Sequence, residues 1–487
     1  MINLIHRRRF LERSLRLALG TAASASLSLP ACFRRALAAG ALPVTNKKLL
    51  FIFLRGGNDG LNTVIPWGDD AYSATTRPSL YLPPPDPLTS VTGRTPDHPD
   101  LTRVIDLGNG FAGLHPALKD LGPVFNAGQL ALLHRVAYSK QSRSHFDSQR
   151  YWENGVPRDD YVSDGVFYRA VVDTGLYQGR QFPAVSVQSS SPLSLQGAIA
   201  FPNLYNPARY DLLGLADAGA DKAKLLAATN AGYAIPYPVK DNRDLIFATG
   251  KQLESSIDAL KTIGVTGNAF FDQDGVTHLF PVDTASNQKK FSGSAFGFFS
   301  NLKTAAQVLA HTDAVVAGTQ LDGFDTHTHQ GSLTGNQAQL LGWIGWAFYA
   351  LRRYFLDVSP QLWDDTVVVT LSEFGRTSKE NGSLGTDHAE ASVMFLAGGK
   401  VAGGVYQCDN HSWKLGPTGS MFLVNNRYLG RTIDYRSVLG KLIRDHLGAT
   451  QTQLETILPG YADPLEHLQN GGIAPDGFPI IGEPAIL

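Results

Sequence analysis

Two stretches of this chain are apolar at nearly every position: Leu49–Leu54 (LLFIFL) and Thr366–Leu371 (TVVVTL). A strand with one solvated face alternates apolar and polar residues, so an unbroken run predicts a strand buried on both faces. Gln129–Val136, Ala314–Leu321 and Ser392–Leu396 read as further strands, and Ala184–Val187 as a short one. Helical spacing is expected from Ser144 to about Glu153 and over Arg243–Ile263, Phe296–His311, Gly335–Leu356 and Tyr435–Leu447. Strands alternating with helices predict an α/β fold: a three-layer sandwich with a mostly parallel central sheet and helices on both faces. Ligands in such sheets bind beyond the carboxyl ends of the strands. A Pro-rich stretch at 77–103 and a mixed region at 160–240 read as insertions into one domain spanning 39–487. The Pro/Gly-rich tail after Pro459 reads as irregular.

The first 38 residues have a different pattern. Arg7-Arg8-Arg9-Phe10-Leu11 opens a weakly apolar Ala/Ser/Leu stretch, and Ala36-Leu37-Ala38 ends it with small residues. Basic start, apolar core and cleavage site in that order predict a twin-arginine export signal over 1–38, with a periplasmic or extracellular destination. Leu29-Pro30-Ala31-Cys32 offers lipoprotein attachment at Cys32 as an alternative. No other apolar run reaches the ~20 residues a membrane-spanning helix needs.

Removing that segment changes the charge. It holds seven arginines and one acid, so the remainder carries 35 basic and 42 acidic side chains, a net −7. This balance argues against a nucleic-acid partner. Cys408 is then the one remaining cysteine, which excludes an internal disulfide.

The polar residues that stand out follow or precede the expected strands. Asp59 comes after the first, Asp322, Asp325, His327 and His329 after Ala314–Leu321, and Glu373 after Thr366–Leu371. Asp387 and His388 precede Ser392–Leu396. Carboxylates and imidazoles converging on one sheet rim suit a divalent cation, zinc or manganese before calcium or magnesium, as one ion or two. Each has a plainer reading: Asp59-Gly60 is a common turn pair, and Glu373 has an ion-pair partner available in Arg376. Ser144 begins a helix with Asp147 three residues on, which is a capping signature. A helix N-terminus also favours an anion, so Ser144 is equally a candidate nucleophile, with Arg143 or Arg376 to hold the outer oxygens of an ester.

Taken together, Phe53-Leu-Arg-Gly-Gly-Asn-Asp-Gly60, Arg143-Ser-His-Phe-Asp147, Asp322-Gly-Phe-Asp-Thr-His327, Ser372-Glu-Phe-Gly-Arg-Thr377 and Thr386-Asp-His388 resemble the secreted family called domain of unknown function 1501. That family is similar in fold to the alkaline phosphatase and sulfatase superfamily, whose members bind two divalent metals at a sheet rim and act on phosphate or sulfate esters. The resemblance implies Asp59 as the first-strand ligand, Ser144 as nucleophile, and Asp325 with His327 (or His329) and His388 around one metal. Glu373 would serve a second, where the superfamily's neighbouring His is Phe374, which cannot ligate. The expected function is an exported metal-dependent hydrolase of a small-molecule or polymer-borne ester. A secreted scaffold that kept the fold without turnover is the alternative, and a docked protein partner would use the insertions.

Overall fold

The computed structural model describes residues 46–88, 93–204, 270–416 and 419–487, with residues 224, 227 and 231. The export signal, the Cys32 alternative, the Arg243–Ile263 helix and most of 205–240 lie outside the described residues. An eight-stranded sheet forms the centre. Its strands are β1 (Lys48–Leu54), β2 (Leu130–Ala137), β3 (Ala184–Ser186), β4 (Val316–Leu321), β5 (Thr366–Leu371), β6 (Ser392–Ala397), β7 (Gly404–Tyr406) and β8 (Ile433–Asp434). They lie in the order β7-β2-β6-β5-β1-β4-β3, and β8 also pairs with β2. β1 sits between β4 and β5 and is parallel to both, as its uniform apolarity requires.

β6 is antiparallel to both its neighbours, β2 and β5. This reversal brings the chain entering β6 to the same rim as the chain leaving β5. The expected α/β sandwich therefore forms, with one strand turned around.

The alternating faces of β1 feed two separate cores. Leu50, Ile52 and Leu54 pack into one with Phe299, Leu302 and Leu309 of helix α3 (Ala295–His311) and Ile344 and Leu351 of α4 (Asn336–Val358). Leu49, Phe51 and Phe53 pack into the other with Trp152 of α1 (His145–Asn154), Phe167 of α2 (Val166–Asp173) and Leu439 of α5 (Tyr435–Lys441). Each such side chain contributes about 1.5–3 kcal/mol on burial, so β1 alone anchors both layers. The expected helix ending at Leu447 instead passes into a single π turn, Leu442–His446. Residues 160–204 are not a simple insertion: they supply α2 and the sheet's edge strand β3. No helix among the described residues is long and apolar enough to cross a membrane.

Candidate metal centre

Four segments meet at the carboxyl rim. The β1 exit turns through Gly56 and Gly57, both with positive φ, at +114° and +79°. A Cβ on Gly56 would lie 2.4 Å from the Asp325 nitrogen, and one on Gly57 would lie 2.5 Å from the Phe374 ring. Glycine is needed here both for the turn and for the close approach of its neighbours. The chain leaving β5 and the chain entering β6 form a short antiparallel extension. Gly375 donates to the Glu390 carbonyl, Ala389 to that of Gly375 and Thr377 to that of Asp387. A bridge joins Arg376 to His388. This pairing fixes His388 on the rim.

His145 is the first residue of α1. Ser144 caps the helix, its hydroxyl accepting from the Asp147 amide at 3.4 Å. Asp147 does not reciprocate on the cap backbone; its carboxylate takes a 3.4 Å bond from Ser142. The cap places the His145 ring on the buried carboxylate of Glu373, with Nδ1 2.9 Å from Oε1.

Three imidazoles then converge on Asp325. His327 Nε2 is 3.1 Å and His388 Nε2 3.2 Å from its Oδ1, and His145 Nε2 is 3.5 Å from its Oδ2. Each Nδ1 faces an acceptor: Glu373 for His145, Asp387 at 3.2 Å for His327, and the Arg143 carbonyl at 2.9 Å for His388. A ring whose Nδ1–H is so engaged presents an Nε2 lone pair when neutral. The Nε2 atoms of His327 and His388 lie 2.9 Å apart. Two lone pairs at that distance repel unless a proton or a cation lies between them. Ligand atoms of His145, Asp325 and His388 fall within 4.8 Å of one another. The His145 Nε2 and Glu373 Oε2 atoms are buried without a hydrogen-bond partner. Imidazoles oriented through Nδ1 by carboxylate or carbonyl, plus one carboxylate, suit a borderline cation such as zinc.

The charges fit the same picture. The hydrogen bond that His145 donates to Glu373 raises the His145 pKa above its ordinary value, against the opposing effect of partial burial. Burial lowers that of His388, and the nearby Arg376 and His145 lower it further. Burial pushes the Asp325 pKa up, but the Arg376 hydrogen bond and charge outweigh it and hold the carboxylate ionised. Glu373, opposed by burial, is kept low by His145, Gln149 and the Gly56 amide. Asp387, likewise opposed by burial, is kept low by Asn381 and His327.

Several expected site residues stand elsewhere. Asp59 does not join the cluster. Its side chain is fully buried on the Arg77 guanidinium at 2.7 and 3.1 Å and takes a 2.6 Å bond from Gln330. His329 has φ +46°, is exposed, and is tied through its amide to the Ser383 carbonyl. The left-handed turn separates it from His327. Asp322 is exposed and accepts from Gln320. Glu373 pairs with His145, Gln149 and Gly56 and not with Arg376. Arg376 is unsuited to holding substrate. It is buried, bonding to the carbonyls of Gly56, Gly57, Phe324 and Thr386 and, at 2.6 Å, to Asp325. Asp387 orients His327 and lies outside the group around Asp325. Phe374 is buried, its ring centroid 4.8 Å from that of His145 and 4.7 Å from that of His388.

His145 itself was not among the expected ligands. Its signal was present, since an imidazole immediately after a helix-capping Ser, on a strand-end loop, is a donor aimed at the rim.

The sheet and rim thus define an α/β protein with an imidazole–carboxylate cluster at its strand ends. The family described as "Protein of unknown function (DUF1501)" matches residues 278–458, which include Asp325, His327, Glu373, Asp387 and His388. No curated protein matches the chain. Among solved structures it is similar to the lipoteichoic acid synthase LtaP from Listeria monocytogenes, with 9% sequence identity and a TM-score of 0.28. The match covers 74% of this chain and 69% of that one.

Proposed function

We propose that this protein is an exported hydrolase of a phosphate or sulfate ester that uses one divalent cation held by His145, Asp325, His327 and His388. The observation that carries this reading is the set of three imidazoles, each engaged through Nδ1, with their Nε2 atoms turned to one carboxylate. A bound cation supplies Lewis-acid chemistry to an ester oxygen. Glu373, Asp387 and the Arg143 carbonyl hold the rings in the ligating tautomer. Ser144 adjoins His145 at the N-terminus of α1, where unpaired amides and the helix dipole favour an oxyanion at its hydroxyl. Arg376 fixes Asp325 and ties four carbonyls of the rim together, so that the loops keep their spacing.

A second reading, a scaffold without turnover, draws support from Phe374. Its ring fills the space beside His145 and His388 that a second ion's ligand would need. Metal analysis of the purified full chain by mass spectrometry separates the two. Near one zinc or manganese per chain, lost in Asp325→Ala/His388→Ala, is the expected result, followed by hydrolysis of an aryl phosphate or sulfate. Folded wild type without metal would overturn the hydrolase reading in favour of the scaffold.

A further inference from the structure

A second concavity lies on the same rim and shares no side chain with the ligand set. This cleft, of about 370 Å³, opens where the chain leaving β3 and the end of β4 meet the first turns of α3 and α4. Five side-chain amides border it: Gln188, Asn301, Gln320, Asn336 and Gln339. Among the described residues its one charged group is Asp322, whose carboxylate accepts from the Gln320 amide at 3.1 and 3.2 Å. Phe298 of α3 and Leu340 and Trp343 of α4 supply apolar surface. Much of the amide capacity is unspent. Gln188 is only 3% exposed; its Nε2 donates at 2.9 Å to the Ser190 carbonyl, and its Oε1 accepts nothing among the described residues. The side chains of Asn301 and Gln339 have no hydrogen-bond partner there either. Gly297, the third residue of α3, also borders the cleft. Glycine weakens a helix, and no neighbour requires it here, since an added Cβ would meet nothing within 4 Å. What the missing side chain preserves is the open space of the cleft.

An amide offers a carbonyl acceptor and an NH2 donor, and a hydroxyl can answer either. With Asp322 on the wall and no Lys or Arg, a phosphate or carboxylate ligand would lack a counter-charge. A ligand dense in hydroxyls, with C–H faces to set against Phe298, Leu340 and Trp343, matches the set, and a sugar ring has both. The volume lies at the small end for a ligand site, which suits one or two rings. We propose that this cleft binds a neutral mono- or disaccharide unit. The site does not rest on ester hydrolysis and holds equally for a scaffold without turnover.

The test is calorimetry and saturation-transfer NMR on the full chain. The probes are the methyl glycosides of glucose, galactose, mannose and N-acetylglucosamine, the disaccharides cellobiose and lactose, and methyl glucuronide as the anionic comparison. At least one neutral probe is expected to bind saturably, with a dissociation constant of about 10 mM or tighter. Gly297→Leu fills the cleft and should weaken that binding by at least about tenfold. Its thermal unfolding midpoint should stay level or rise, because leucine is the better helix former. Asn301→Ala should weaken binding about two- to tenfold, the worth of one hydrogen bond. Folded wild type that binds no neutral probe overturns the proposal, as does binding that Gly297→Leu leaves unchanged. Tighter, Gly297-dependent binding of the glucuronide than of the neutral glucoside overturns the neutral specificity. Metal content, measured alongside, decides the hydrolase reading separately, because the cleft contains none of the cluster's ligands.

Discussion

Replacing Asp59 distinguishes a structural carboxylate from a metal ligand. Its side chain and that of Arg77 are both fully buried. Beyond Asp59, Arg77 donates to Asn62 at 2.8 Å and to the carbonyls of Ser378 at 2.9 Å and Thr377 at 2.8 Å. Asp59→Asn keeps the shape but leaves the guanidinium without its counter-charge. Breaking a buried pair in this way costs about 3–5 kcal/mol, a factor of about 150 to 5,000 in the folding equilibrium. Urea unfolding should therefore show a lower midpoint, while metal content stays at the wild-type level. The double variant Asp59→Leu/Arg77→Met removes both charges and should recover much of the loss, because an apolar pair of similar volume is close to neutral in such sites. Unchanged stability with loss of metal in Asp59→Asn would refute this reasoning and restore Asp59 as a ligand.

Glu373→Gln should keep the fold but lower metal affinity by about 10–100-fold, as removal of an orienting carboxylate does elsewhere; metal-buffered titration reads this, and wild-type affinity would refute the orienting role. Stability should fall on acidification below about pH 6.5, the ordinary value for an unfolded histidine, because burial lowers the pKa values of His115, His134 and His446 to about 4, 3 and 4. The unfolded chain binds protons that these buried rings refuse. Each contribution is thus complete above pH 6.5 and is lost toward the folded pKa, at up to about 1.4 kcal/mol per pH unit. Unfolding of His134→Gln against pH should show a slope reduced by one such group between pH 6 and 5, and a slope identical to wild type would count against a neutral buried His134. Gly57→Val should disrupt the rim, since its Cβ would meet the Phe374 ring in a backbone region valine avoids; retained metal binding with unaltered stability would contradict that.

The strands were legible because burial on both faces leaves an unbroken apolar signal, and β1, β4 and β5 lie where that signal places them. The direction of β6 was not legible. Ser392–Ala397 is as apolar as its neighbours, and orientation depends on where the preceding loop returns. Asp325, His327 and His388 were legible as donors on strand-end loops. Asp59 looked the same in sequence, and its partner Arg77 sits in a proline-rich stretch with nothing to mark it as buried. The Ser144-to-Asp147 capping signature drew attention to the hydroxyl, whereas His145 between them carries the ring that reaches Asp325. The neighbouring histidines 327 and 329 differ through one left-handed backbone angle, which residue spacing alone does not encode.

The reversal of β6 also divides the site by chain distance. Glu373, Arg376, Asp387 and His388 come from one short excursion whose two ends are stitched together locally. His145 and Asp325 arrive from segments far away in the chain, following β2 and β4, which flank the β6-β5-β1 centre of the sheet on opposite sides. The cluster cannot close until β1, β2 and β4 are all seated beside β5 and β6. A cation that requires all four ligands would then reward only the finished sheet, so its retention would report on completed folding as well as on chemistry.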